Sequence, residues 1–178
     1  MKTLASVAAL LLAGVASVAA TDAPLTPKFV EETASSGLNN LFKGEWEYMV
    51  GGGVAAFDCN GDYLPDVLMA GGENKATFLR NASAKGGALK FKALETGLEQ
   101  DKMLGAYPLD VDGDGNIDVM LLRQGQNVLM HGLGGCKFER ANEGWGFDGG
   151  DAWSAAFAAT WEKGASWPTL AVGNYINR

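Results

Sequence analysis

Two nine-residue acidic loops constrain this chain more than any other feature. In Asp110-Val-Asp-Gly-Asp-Gly-Asn-Ile-Asp118, carboxylates occupy loop positions 1, 3, 5 and 9, and glycines positions 4 and 6. A hard cation such as Ca²⁺ takes six to eight oxygens at about 2.3–2.6 Å, and alternate residues of a curled loop converge in that way. Asp110, Asp112, Asp114 and Asp118 offer side-chain oxygens and Asn116 its backbone carbonyl. Without a cation, four carboxylates so close together repel one another.

The second copy lies upstream, at Asp58-Cys-Asn-Gly-Asp-Tyr-Leu-Pro-Asp66. Asp58, Asn60, Asp62 and Asp66 hold positions 1, 3, 5 and 9, and Leu64 offers the carbonyl. Tyr63 replaces the glycine of position 6, so a strained loop or one of slightly different shape is expected there. The flanks repeat as well: Gly53-Val-Ala-Ala-Phe and Gly105-Ala-Tyr-Pro-Leu lead in, while Asp-Val-Leu-Met and Asp-Val-Met-Leu-Leu lead out. The 52-residue offset falls in the range of propeller blades and other repeat arrays. An EF-hand is excluded by position 12, which is Met69 or Leu121 where a bidentate Glu is required. Apolar, β-branched flanks punctuated by glycine make these loops strand connections.

Residues 1–20 read as a signal peptide with Lys2 at its start, an apolar stretch from Leu4 to Val15 and cleavage after Ala20. The mature chain is expected to be secreted or periplasmic and not membrane-spanning. The formal net charge is −7, one unit more negative once Lys2 is removed. That balance argues against nucleic acid. Residues 21–27 read as a linker, and 28–178 as propeller repeats.

The first blade unit, about 53–98, is expected to hold strands near 53–58, 66–70, 76–81 and 89–94. The second, about 105–144, is expected to hold them near 105–110, 117–123, 127–131 and 137–140. Four strands with glycine-rich turns make one blade. Phe91-x₅-Gly97 and Phe138-x₅-Gly144 read as outermost strands running into the next blade, and the run from Phe29 to Gly37 as a stray outer strand that completes a closing blade. The third unit, 153–178, is degenerate. Trp161, Lys163, Ala165 and Thr169 stand at its loop positions 1, 3, 5 and 9, so no metal is expected there. About two and a half blades are present where closure typically needs 4–8, so a fragment of a longer chain is expected, with a ring completed by identical chains as the other reading.

These residues resemble the FG-GAP/VCBS repeat superfamily, whose blades carry a D-x-D-x-D-G-x-x-D calcium loop, as in integrin α-subunit propellers. Phe29-x₇-Gly37-Leu38 and Gly51-Gly-Gly-Val-Ala-Ala-Phe-Asp58-x-Asn-Gly-Asp62 are similar to the openings of cartilage acidic protein-like and ASPIC/UnbV-type secreted proteins. The resemblance spans roughly residues 28–178 and implies ligand roles for the ten loop residues named above. It departs at Tyr63 and throughout the third loop, and no copy of the C-terminal ASPIC/UnbV segment is visible. It implies calcium-stabilised binding or adhesion, with no established chemistry to carry over.

His131, the chain's single histidine, lies on an expected strand with no nucleophile nearby and reads as structural or surface. G-x-S-x-G, H-E-x-x-H and P-loop motifs are absent. Cys59 and Cys136 are permitted to pair in an exported chain, but they belong to different blades, which leaves the bond open. Trp145, Trp153, Trp161 and Trp167 read as blade packing, with a sugar-stacking platform as the other possibility. Asn81-Ala-Ser83 is a glycosylation sequon in an expected turn.

The leading expectation is therefore an all-β, secreted calcium-binding propeller module for protein or carbohydrate binding or adhesion, with structural metals and no catalytic residues. The alternatives are the N-terminal part of a propeller enzyme, such as a polysaccharide lyase or hydrolase whose active site lies on other blades, and a purely structural repeat array.

Overall fold

A computed structural model describes residues 26–177; the signal-peptide stretch and most of the linker lie outside them. Residues 26–31 carry no regular secondary structure. From Glu32 onward the regular secondary structure is mostly antiparallel strand. Among the described residues no helix is long and apolar enough to cross a membrane.

The first sheet is a four-stranded meander of β1 (Val54–Phe57), β2 (Asp66–Met69), β3 (Thr77–Asn81) and β4 (Phe91–Ala93), paired in that order. The second repeats it with β5 (Met103–Leu109), β6 (Asp118–Gly125), β7 (Val128–Gly132) and β8 (Phe138–Arg140). A hairpin of β9 (Ala152–Thr160) and β10 (Thr169–Asn177) follows, and its first strand joins the end of β6 through Gln124–Trp153 and Gly125–Ala152. β5 lies beside β1 on one side and β9 on the other, so the innermost strands of successive units are neighbours, as in a propeller.

Burial follows from this stacking. On β6, Val119 and Leu121 pack toward the first sheet with Phe57, Leu68, Phe78 and Phe138. Met120 and Leu122 face the other way, with Tyr107, Phe157, Leu170 and Val172 packed around them. A strand covered on both faces reads as an unbroken apolar run because both sets of alternating side chains are buried. Strand β1 has a neighbouring unit on one face only: Ala55 and Phe57 are buried while Val54 and Ala56 are exposed. A 3-10 helix, Trp46–Val50, inserts Tyr48 between Trp153 and Leu104, and the Tyr48 hydroxyl donates to Gln124 Oε1 at 2.6 Å.

The stray outer strand expected around Phe29 does not form. Thr33–Ser36 is instead a single helical turn, α1, closed by the Ser35 and Ser36 amides donating to the Glu32 carbonyl and ended by Gly37 at φ 83°. The Phe–Gly repeat survives as a packing relation. A Cβ on Gly37 would lie 2.6 Å from the Phe91 carbonyl oxygen, and one on Gly97, at φ 98°, would lie 2.5 Å from that of Phe138. Each glycine is followed by a leucine whose amide donates to a hydroxyl two residues back, Leu38 to Ser36 at 3.2 Å and Leu98 to Thr96 at 3.3 Å. The segment before the first sheet therefore caps that sheet's own outer strand, as 96–98 caps that of the second.

The sequon residue also differs from expectation. Asn81 is the last residue of β3 and is buried, its amide nitrogen donating to the Pro65 carbonyl and its Oδ1 accepting from Ser83 N–H. An asparagine engaged in this way offers no nitrogen to a glycosyl group in the folded chain.

Candidate functional site

Both acidic loops connect the first and second strands of their sheets, and both are wired alike. Position 9 opens the second strand. Asp118 Oδ2 accepts Val111 N–H at 2.7 Å and its Oδ1 accepts Gly132 N–H at 2.7 Å. Asp66 Oδ2 accepts Cys59 N–H at 3.2 Å and its Oδ1 accepts Asn81 N–H at 2.8 Å. Position 1 gathers the loop amides: Asp110 takes those of Gly113 and Gly115, and Asp58 those of Asn60, Gly61, Asp62 and Tyr63. The wiring forces position 6 into the left-handed region, φ 87° at Gly115 and φ 65° at Tyr63. The expected strain at Tyr63 is therefore present.

In the second loop the nearest oxygens of Asp110, Asp112 and Asp118 all lie within 4.8 Å of one another. Asp114 sits at the rim, accepting the Asn116 amide at 2.7 Å on one oxygen and its side-chain nitrogen at 2.8 Å on the other. In the first loop Asn60 Nδ2 donates to Asp62 Oδ2 at 2.9 Å, and Leu64 N–H donates to Asp62 Oδ1 at 2.9 Å. Asn60 thus ties up part of Asp62.

Electrostatics divides the carboxylates into two kinds. Asp66 and Asp118 have no exposed surface. Burial raises the pKa of each against the pull of its two amide donors, and the neighbouring charges of Asp62 and Asp58, or of Asp112, push in the same direction. At Asp58 burial also opposes ionisation, but four backbone donors outweigh it and hold the carboxyl below its ordinary value. Asp114 is held low chiefly by the Asn116 amide and side chain. Each repeat therefore buries one reluctant carboxylate at the floor of a ring of acceptors, an arrangement that a cation would relieve.

Cys59 and Cys136 form a disulfide, with Cα atoms 4.8 Å apart. It joins position 2 of the first loop to the β7–β8 turn of the second sheet, and the Cys136 amide donates to the Cys59 carbonyl at 3.2 Å. Asp66 Oδ2 lies 2.9 Å from Cys59 Sγ; a bridged sulfur has no proton to donate, so this is a packing contact.

Two features of the site escaped the sequence reading. His131, on β7, brings Nε2 to 3.3 Å from Asp112 Oδ2 and 3.5 Å from Asp114 Oδ2. The Trp145 ring lies 5.1 Å from that imidazole, tilted by 58°, and meets Trp167 edge-on at 5.5 Å, so two of the four clustered tryptophans border the second loop. Trp153 packs with Tyr48 in the core, and Trp161 is half exposed. In the third loop the turn closes through Thr169 Oγ1 donating to Glu162 Oε1 at 2.6 Å and Ala165 N–H donating to the Glu162 carbonyl. Trp161, Lys163, Ala165 and Thr169 reproduce none of the carboxylate wiring.

Paired antiparallel meanders with a wired acidic loop between their first two strands define a propeller-type repeat. Residues 58–121 match the family model described as FG-GAP-like repeat. The matched span runs from position 1 of the first loop, through the second loop, into β6, and supports the FG-GAP repeat superfamily. No curated protein matches the chain.

Proposed function

We propose that this chain is an exported, calcium-stabilised propeller module that binds a protein or glycan partner and has no catalytic activity of its own. The observation that carries the reading is the duplicated loop: a fully buried carboxylate at position 9 beneath further oxygen donors, with Asp110, Asp112 and Asp118 already converged. The donor set is all oxygen, which suits a hard cation. A carboxylate oxygen that accepts an amide proton keeps a second lone pair for a metal. Asp110, Asp112, Asp114, Asn116 and Asp118 would hold one Ca²⁺, and Asp58, Asn60, Asp62, Leu64 and Asp66 the other. The metals would neutralise clustered carboxylates and pin the loops.

The disulfide is compatible with export, since such bonds persist in oxidising compartments. The opening residues Gly51–Asp62 favour kinship with cartilage acidic protein-like and ASPIC/UnbV-type secreted proteins within the superfamily. Thermal melts in chelator, in Mg²⁺ and in Ca²⁺ test the reading. A ligand that binds only the folded state adds about 2.7 kcal/mol at a hundredfold excess over its Kd, so melting should rise with Ca²⁺ well beyond its response to Mg²⁺. Screening glycans and extracellular proteins with and without Ca²⁺ tests the binding role. Calcium-independent melting refutes the metal part, and turnover of a polysaccharide, ester or phosphoester by the purified chain refutes the non-catalytic part.

A further inference from the structure

We propose that His131, Asp112 and Asp114 form a second kind of metal site at the rim of the second loop, one that takes a borderline, imidazole-seeking divalent ion such as Zn²⁺ instead of Ca²⁺. One ligand atom from each of the three residues lies within 4.8 Å of the others. His131 Nε2 is itself buried and pairs with Asp112 Oδ2 and Asp114 Oδ2 at 3.3 and 3.5 Å. A nitrogen and two carboxylate oxygens this close pair directly, and the same three atoms can instead converge on one ion. The spacing fits as well: a tetrahedron built on bonds of about 2.0–2.1 Å has edges of about 3.3 Å.

The surroundings hold the imidazole in that pose. Its Nδ1 faces Glu139 Oε1 at 3.9 Å, on the side where a carboxylate orients a metal-bound histidine. The Trp145 ring lies against it at 5.1 Å. The next residue, Gly132, is fixed by its bond to Asp118. The feature belongs to this repeat alone. Asn81 is the counterpart of Gly132, so Arg80 stands where His131 does, and a guanidinium cannot ligate a metal. Imidazole shifts preference away from the hard ions that an all-oxygen set favours. The rim site shares Asp112 and Asp114 with the proposed calcium loop, so the two ions compete, but the rim site does not require that calcium bind.

Because His131 is the chain's single histidine, its imidazole nitrogens can be followed by NMR in the unaltered chain, stripped of metal, during titration with Zn²⁺. The expected result is a shift of Nε2 that saturates with one equivalent. His131→Gln should weaken Zn²⁺ binding at least about tenfold while leaving Ca²⁺ affinity within about twofold. Co²⁺ should give the visible absorption of a four- or five-coordinate site in the wild type and lose it in that variant. An imidazole unmoved at saturating Zn²⁺, or equal Zn²⁺ affinity in wild type and His131→Gln, overturns the proposal. A shifted imidazole in a chain that ignores Ca²⁺ would sustain this site while the calcium reading fell.

Discussion

The Gly132 amide donates to Asp118 Oδ1 at 2.7 Å, which ties the end of β7 to the carboxylate that opens β6. With Val111 N–H on the other oxygen, a side chain without exposed surface satisfies two backbone donors. Removing it strands both, at about 1–3 kcal/mol for each buried donor left unpaired. In chelator, Asp118→Ala should therefore lower stability by several kcal/mol, and Asp66→Ala by a similar amount through Asn81 and Cys59. Asp114→Ala, at the exposed rim, should stay within about 1 kcal/mol. Urea denaturation of the three variants checks the ranking; an equal cost at Asp114 and Asp118 would contradict it.

Tyr63 invites the opposite substitution. It holds φ 65° with its side chain almost fully exposed, so truncation removes little packing. A left-handed residue bearing a Cβ costs about 1–2 kcal/mol, offset in part by glycine's greater unfolded-state entropy. Tyr63→Gly should stabilise the metal-free chain by a few tenths to about 1 kcal/mol. A fall in melting temperature would show that the ring has a partner in the folded chain.

The disulfide ties two repeats whose cysteines are 77 residues apart. Bridges closing loops of this order contribute typically 2–4 kcal/mol. Reduction should destabilise the chain by roughly that amount. It should also weaken calcium at Asp58–Asp66 more than at Asp110–Asp118, because Cys59 is position 2 of the first loop. Unchanged denaturation curves before and after reduction, with thiol release verified, would contradict this.

The pH response of the metal-free chain follows from the two kinds of carboxylate. Asp66 and Asp118 have folded pKa values raised above the unfolded one, so their contribution is fully present below about pH 3.9 and is lost as pH rises through the raised values. Asp58 and Asp114 are held low, so theirs is present above the ordinary carboxylate range and is lost as pH falls through their depressed values. The contribution of these four groups in chelator should therefore peak near the ordinary carboxylate range and decline as pH rises through the raised values of Asp66 and Asp118. Calcium, which favours the ionised forms, should remove that decline. Melting temperatures from pH 3 to 8 in both media check it; a metal-free maximum at neutral pH would contradict it.

Much of the fold was legible because glycine-rich turns punctuate the strands. All eight strands of the first two sheets fall within a few residues of their expected positions, from β1 at Val54–Phe57 to β8 at Phe138–Arg140. The segment after Phe29 misled because Gly37 packs against Phe91, far away in sequence, and a helical turn ending at Gly37 makes that contact as well as a strand would. The bond between Cys59 and Cys136 depends on how two sheets stack, which no local pattern encodes. His131 was missed for a related reason. Its approach to Asp112 follows from the β6–β7 register, Val119 opposite Met130. The available signal was its position just before Gly132, across from the start of β6.

Calorimetric titration of Ca²⁺ into the chelator-treated chain, repeated on Asp112→Ala and Asp62→Ala, tests the central claim most directly. The second loop has four carboxylates and two glycines; the first has three, with Asn60 and Tyr63 in place of the others. Ligand charge and backbone freedom set affinity in such loops. The account predicts two sites in the wild type, the tighter one lost in Asp112→Ala and the weaker one in Asp62→Ala, with none at Trp161–Thr169. No heat, together with a melting temperature indifferent to calcium, would contradict it and leave two well-wired acidic turns.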